Sequence, residues 1–83
     1  MPKTPQNNFN YKVRIINRDW PELLGWLIDY IGPLLHCSPI IFWHGKGWHM
    51  NTGSNHNADD IEYYVDVSFT NKDDAIWFAL RWK

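Results

Sequence analysis

The most regular alternation of apolar and polar residues in the chain runs from residue 61 to residue 69. The odd positions carry Ile, Tyr, Val, Val and Phe, and the even positions carry Glu, Tyr, Asp and Ser. Because successive side chains of a strand point to opposite faces, this period of two predicts a strand with one face on a core and one toward water. Tyr63, Val65 and Val67 are predicted to lie in that core.

A second alternation, over residues 9–16, predicts another strand. The pattern then becomes helical. Asp19 is suited to cap a helix, Pro21 is tolerated in its first turn, and Glu22 completes a capping box. The helix is predicted to extend to Ile31 and to end at Gly32 and Pro33. Gly25, inside it, is expected to allow a close approach to the sheet.

The next segment, residues 34–39, is interpreted as a connection. A strand is then predicted over residues 40–52, with Gly45-Lys46-Gly47 in its middle. These glycines mark either a bulge in one long strand or a tight turn between two short ones, and the bulge is preferred. Polar residues 53–60 are predicted to form a loop. A terminal helix follows, with its N-cap near Asn71 and acidic residues in its first turn.

The predicted order is therefore strand, helix, strand, strand, helix, in a single α+β domain over residues 9–83 that follows a flexible tail at 1–8. This βαββα order resembles a ferredoxin-like sandwich that stops before its fourth strand. It predicts a three-stranded antiparallel or mixed sheet with two helices on one face. Residues 61–69 would be the central strand.

The first strand would then be an open edge of the sheet. Open edges pair with other chains unless something blocks them, so pairing with a second copy (a homodimer) or with another protein is one interpretation. The alternative is that the N-terminal tail, or the charges of Lys12 and Arg14, protects the edge. These two cations are expected to lie beside Glu62 and Asp66 on the exposed face of the sheet and to be neutralised by them.

Composition narrows the functional classes. The chain has 83 residues, eight basic and nine acidic residues, and a net charge of −1. This balance argues against a general electrostatic affinity for nucleic acid or anionic membranes. The single cysteine excludes an intramolecular disulfide, and the N-terminus lacks the apolar core of a signal peptide. A cytoplasmic protein that does not cross a membrane is expected.

The residues that most often carry chemistry do not form a recognisable site. His44 and His49 are five residues apart, which places them on opposite faces of a regular strand unless the glycines reset the phase. No histidine or cysteine pair has zinc-site spacing, so neither a metal nor a cofactor is predicted. His36 and Cys37 lack an oxyanion site, and Cys37 is expected to be a small buried hydrophobe. We therefore expect a protein that is not an enzyme.

The aromatic residues are the main candidates for binding. The chain has six Trp, four Tyr and four Phe, and exposed rings together with basic side chains are typical anchors of protein interfaces. The alternative is that the rings belong to the core of so small a domain. The candidate partner-binding residues are Trp43, Trp48, Tyr64, Trp77, Lys12 and Arg14. The alternative function is binding of single-stranded nucleic acid by Tyr64 and by Trp43 or Trp48 on the exposed sheet face.

The terminal segment from Asp73 to Trp82, with the sequence DDAIWFALRW, resembles the ends of small accessory proteins of large tailed bacteriophages. The resemblance implies a modulator or inhibitor of a host protein that acts in the host cytoplasm. It implies no role for any individual residue.

Overall fold

The computed structural model describes residues 9–16, 20–38, 42–56 and 59–83, and within these ranges the chain forms five strands and two helices. The elements are β1 (Tyr11–Ile16), α1 (Trp20–Tyr30), β2 (Leu34–Ser38), β3 (Phe42–Gly45), β4 (Trp48–His56), β5 (Ile61–Phe69) and α2 (Lys72–Trp82). One sheet contains all five strands in the order β1-β5-β4-β3-β2. Every neighbouring pair is antiparallel.

The predicted three-stranded ferredoxin-like sheet is therefore wrong. The fold is a small α+β protein with a five-stranded antiparallel sheet and two helices. One part of the predicted arrangement is present: β5 lies between β1 and β4 and pairs antiparallel with both, and β1 is an edge strand. The additional strands come from the segment 34–38, which was predicted to be a connection, and from the division of the predicted strand 40–52.

A tight turn makes that division, so the predicted bulge is also wrong. Gly45 pairs with Trp48 across the β3–β4 hairpin, and Lys46 and Gly47 form the turn between them. Gly47 has a φ of +87°, a left-handed conformation that glycine adopts without steric cost. Gly45 lies against the indole of Trp48, where a Cβ atom would collide with the ring. Each glycine thus meets a separate requirement of the hairpin.

The core lies between the two helices and one face of the sheet. Its buried residues come from four strands and both helices: Val13, Ile15, Trp43, Trp48, Met50, Val65, Val67, Phe69, Leu23, Leu27, Ala75, Phe78 and Trp82. The indole Nε1 of Trp48 donates a hydrogen bond of 2.8 Å to the carbonyl oxygen of Gly32, which joins the end of α1 to β4. The predicted N-cap of α2 is confirmed, since the Asn71 side chain accepts a 2.8 Å bond from the backbone N–H of Asp73.

Three smaller predictions about burial are wrong. Tyr63 is 64% exposed, and Ile61 on the same face at the start of β5 is exposed as well. Gly25 has no atom within 4 Å of the position of a Cβ, so it permits no close contact with the sheet. Cys37 is exposed on the edge strand β2. The predicted helix cap at Asp19 and the tail at residues 1–8 lie outside the described residues.

Candidate protein-binding edge

The edge strand β1 pairs on one side only within the described residues. Its six residues are in unbroken register with β5, from Tyr11 opposite Phe69 to Ile16 opposite Tyr64. In an antiparallel pair, the N–H and C=O groups of alternate residues point away from the partner strand. The outer side of β1 therefore presents a regular row of backbone donors and acceptors.

A cleft runs between this edge and helix α2. It has a volume of about 410 Å³ and is lined by Asn10, Tyr11, Lys12 and Val13 from the strand side and by Lys72, Ala75, Ile76 and Ala79 from the helix; we call it the β1–α2 cleft. A second cleft, of about 370 Å³, is lined by Arg14, Ile15, Ile16, Trp82 and Lys83; we call it the C-terminal cleft. Together they follow the whole length of β1.

The spacing of residues on α2 explains why a depression forms there. Ala75 and Ile76 come three and four residues after Lys72, and Ala79 comes four and three residues after them, so all four lie on one face of the helix. Ala75 and Ala79 project little beyond the helix backbone. The surface beside β1 is therefore a shallow apolar trough, with the aliphatic side chain of Ile76 on its wall and Lys72 at its end.

The two basic residues of β1 lie on the sheet face opposite the helices, which we call the open face. The guanidinium of Arg14 donates two hydrogen bonds to the Asp66 carboxylate, Nε to Oδ1 at 2.7 Å and Nη2 to Oδ2 at 2.9 Å. This hydrogen-bonded ion pair raises the pKa of Arg14 above its ordinary value. Lys12 Nζ lies 3.9 Å from Asp66 Oδ2. The expected neutralisation is thus made by Asp66, whereas Glu62 accepts a 3.4 Å hydrogen bond from Asn55.

Tyr64 also lies on the open face. Its ring covers Gly53 on β4, where a Cβ would collide with it, and the guanidinium carbon of Arg14 lies 3.9 Å from the ring centroid. Tyr64 is therefore held between a glycine and a cation rather than projecting freely into solvent.

The three tryptophans among the candidate residues occupy two different environments. Trp48 is completely buried and Trp43 is 6% exposed, and both point into the core rather than to the open face, where they were expected as binding rings. Trp77 is 46% exposed on α2. Its ring packs edge-on against Trp26 and Tyr30 of α1, with ring centroids 5.0 Å and 5.7 Å apart. Trp77 is the candidate tryptophan that contributes to the surface.

The open face carries a group of rings that the sequence pattern did not indicate. His36, His44 and His49 lie directly opposite one another on β2, β3 and β4, because the two-residue turn brings His44 and His49 to the same face. Phe42 stacks on His49 at 5.6 Å, and Phe9 packs against His44 at 5.3 Å. Burial, followed by the proximity of His44, lowers the pKa of His49.

These histidines do not form a metal site. Within residues 9–16, 20–38, 42–56 and 59–83, no group of three or more His, Cys, Asp or Glu side chains is arranged to hold a metal ion. Two imidazoles with a ring-centroid separation of 5.9 Å and phenylalanine neighbours make a surface suited to ring stacking instead.

The opposite edge of the sheet is less regular than β1. β2 has five residues, and its register with β3 shifts between Leu34 and His36. A shift of this kind interrupts the row of backbone groups that an added strand would need. The two edges are therefore unequal, and β1 is the better acceptor of an additional strand.

Comparison of the chain with protein-family models, with curated proteins and with solved structures gave no match. No helix within the described residues is long and apolar enough to cross a membrane.

Proposed function

We propose that this protein is a non-enzymatic protein-binding module that accepts an extended segment of another protein as a sixth strand beside β1. The observation that supports this most directly is the regular outer edge of β1, which pairs with no other strand among the described residues and lies next to the β1–α2 cleft. In strand addition, the edge supplies main-chain hydrogen bonds and a neighbouring groove receives alternate side chains. Both parts lie side by side here.

The dimensions of the edge suit a short linear segment. Six paired residues at about 3.3 Å each give an edge of roughly 20 Å. A bound segment would place every second side chain toward the helices, where Ile76 and the alanines of α2 form the trough, and the others on the open face. Specificity would therefore reside in two separate sets of side chains.

Selection of peptides tests the proposal. Random peptides of about eight residues, displayed on yeast and selected on the folded protein, should give binders that perturb the NMR signals of β1 and α2. The Ile76→Glu substitution adds a charge to the wall of the trough and should weaken a selected peptide by about tenfold. Ile76 is exposed, so the fold should tolerate the change.

Leu80→Glu is the matched control, because Leu80 is an exposed apolar residue of the same helix that lines neither cleft. It should change the affinity by less than about twofold. Equal effects of the two substitutions, or selected peptides that bind elsewhere, would contradict strand addition at β1.

The biological setting is part of the same proposal. The resemblance of the terminal helix to bacteriophage accessory proteins supports a modulator or inhibitor of a host protein, and the single cysteine is compatible with a reducing cytoplasm. A module of this kind would act by binding a segment of the host protein and so blocking the other contacts of that segment. Growth arrest of a bacterial host on expression of the wild-type protein, relieved by Ile76→Glu but not by Leu80→Glu, would support this role. Full activity of the Ile76→Glu variant would contradict it.

A second candidate function is single-stranded nucleic-acid binding by the open face. It is favoured by the partly exposed rings of Phe42, His44 and His49, on which bases could stack. The engagement of Lys12 and Arg14 by Asp66 disfavours it. Titration of labelled oligouridine at low salt separates the two functions. Binding that Phe42→Ala weakens by about tenfold would support this candidate, and the absence of binding would contradict it.

A further inference from the structure

Within the described residues, the charged side chains that line the two clefts along β1 are all cations. Lys12 and Lys72 line the β1–α2 cleft, and Arg14 and Lys83 line the C-terminal cleft. They are four of the eight basic residues of a chain whose net charge is −1. Asp73, in the same helical turn as Lys72, lines neither cleft. Because Asp66 offsets one of the two cations of β1, the residues along this edge keep a net positive charge, although the chain as a whole is slightly acidic.

These cations disfavour pairing of β1 with a second copy of itself. A symmetric antiparallel pair centred on Val13 would place Lys12 of each copy opposite Arg14 of the other. Centring the pair on Lys12 or on Arg14 would place that residue opposite its own copy. Like charges directly opposite one another destabilise a strand pair, so each of these closely overlapping registers carries a penalty.

The same cations favour an added strand of opposite charge. We propose that the segment bound at β1 alternates acidic with apolar residues, an inference that rests on the proposed strand addition. Its acidic side chains lie on the open face beside Lys12 and Arg14, and its apolar side chains enter the trough against Ile76. Lys72 and Lys83 mark the two ends of the path and attract carboxylates there.

Arg14 can contact a carboxylate of the bound segment while it remains bonded to Asp66. Asp66 accepts from Nε and one terminal nitrogen of the guanidinium, and the Arg14 side chain remains 42% exposed. Arg14 carries five N–H donors in all, so further donors are available to a carboxylate on the outer side. The ammonium of Lys12 lies 3.9 Å from Asp66, and its side chain is 58% exposed.

Three synthetic peptides of one pattern test the inference. Each is a capped heptapeptide in which valine alternates with glutamate, glutamine or lysine, and binding is followed by fluorescence anisotropy and by NMR shifts. The glutamate peptide should bind at β1 and α2, the glutamine peptide about fivefold more weakly, and the lysine peptide not measurably. Raising the salt concentration should weaken the glutamate peptide and leave the glutamine peptide nearly unchanged.

Charge reversal supplies the matched variants. Lys72→Glu should weaken binding of the glutamate peptide about fivefold and reduce the difference in affinity between the glutamate and lysine peptides. Lys46→Glu makes the same change on an exposed turn residue outside both clefts and should leave the ratio of the two affinities unchanged.

The outcomes separate this inference from the proposed function. If the three peptides bind β1 equally, or if peptides selected by display bind β1 while the glutamate peptide does not, the acidic partner is excluded and strand addition stands. If neither designed nor selected peptides shift the signals of β1, strand addition itself fails. A stable dimer joined through β1 at micromolar concentration would overturn the inference in favour of a second copy.

Discussion

At the scale of single residues, Gly45 lies in crowded surroundings and Gly25 in open ones. Alanine should therefore have opposite effects on stability at the two positions. The added methyl group at Gly45 meets the buried indole of Trp48, whereas at Gly25 it meets open space on α1. Gly45→Ala should lower the free energy of unfolding by about 2 kcal/mol through overpacking. Gly25→Ala should raise it by about 0.5 to 1 kcal/mol, because alanine is the better helix former. Denaturant unfolding measures both, and equal effects would contradict the placement of Trp48.

Asp66 is the residue that organises the open face. It is 5% exposed and holds both Lys12 and Arg14, so removal of its charge leaves a guanidinium without its carboxylate. Asp66→Asn should reduce the free energy of unfolding by about 2 kcal/mol. Glu62→Gln is the control on the same strand and face, since Glu62 is joined to Asn55 by a long hydrogen bond of 3.4 Å. It should change stability by less than about 0.5 kcal/mol, and a comparable loss there would show that Asp66 has no special role.

At the scale of elements, alternation predicted β1 and β5 because the apolar side chains of both strands fall mainly on the core face, although the start of β5 is exposed. It missed β2 because Leu34 to Ser38 is short and irregular: the register shift near Leu35 breaks the period of two. It could not separate a bulge from a turn at Gly45 to Gly47, since glycine suits both. The choice between a bulge and a turn also decides whether His44 and His49 lie on the same face of the sheet.

The candidate edge could be predicted from the sequence only in part. The position of β1 at the end of the sheet followed from the order of elements. The cleft did not, because it depends on the packing of α2 against β1, and Lys72 and Lys12 are distant in the sequence. The burial of Trp43 and Trp48 likewise depends on which side of the hairpin faces the helices, and composition carries no information about that.

His49, in the group of rings on the open face, should make the stability of the sheet depend on pH. Burial lowers the pKa of His49, so the folded state binds a proton there less readily than the unfolded chain does. Histidines of an unfolded chain have a pKa of about 6.5. The stability that neutral His49 contributes is fully present above the pKa of the unfolded chain, about 6.5. It is lost as the pH falls from there through the lower pKa of His49 in the folded state. His49→Gln should remove this part of the slope.

Chemical denaturation between about pH 7.5 and pH 5 measures the slope, above the range in which most carboxylates titrate. His56→Gln is the control, because His56 is exposed at the far end of β4. An unchanged slope in the His49 variant, or an equal change in the His56 variant, would contradict this account.

At the scale of the whole molecule, stability should be uneven along its length. The described residues extend 52 × 26 × 24 Å, and β5 is buried at its C-terminal end and exposed at its start. Val67→Ala should cost roughly 2 kcal/mol, because it leaves a cavity in the core. Ile61→Ala, on the same face of the same strand, should cost less than about 0.5 kcal/mol. Similar losses in thermal or denaturant unfolding would mean that some other contact covers Ile61.

The inequality of the two sheet edges has a consequence for how copies of the chain meet at high concentration. Addition of β1 of one molecule to β2 of the next is a heterologous contact, which would repeat without closing and produce a filament. The register shift near Leu35 interrupts the backbone row on β2, so a regular β1 strand finds no continuous template there. One edge of the sheet presents a regular row of backbone groups and the other an interrupted row, so the structure disfavours open-ended growth by strand pairing.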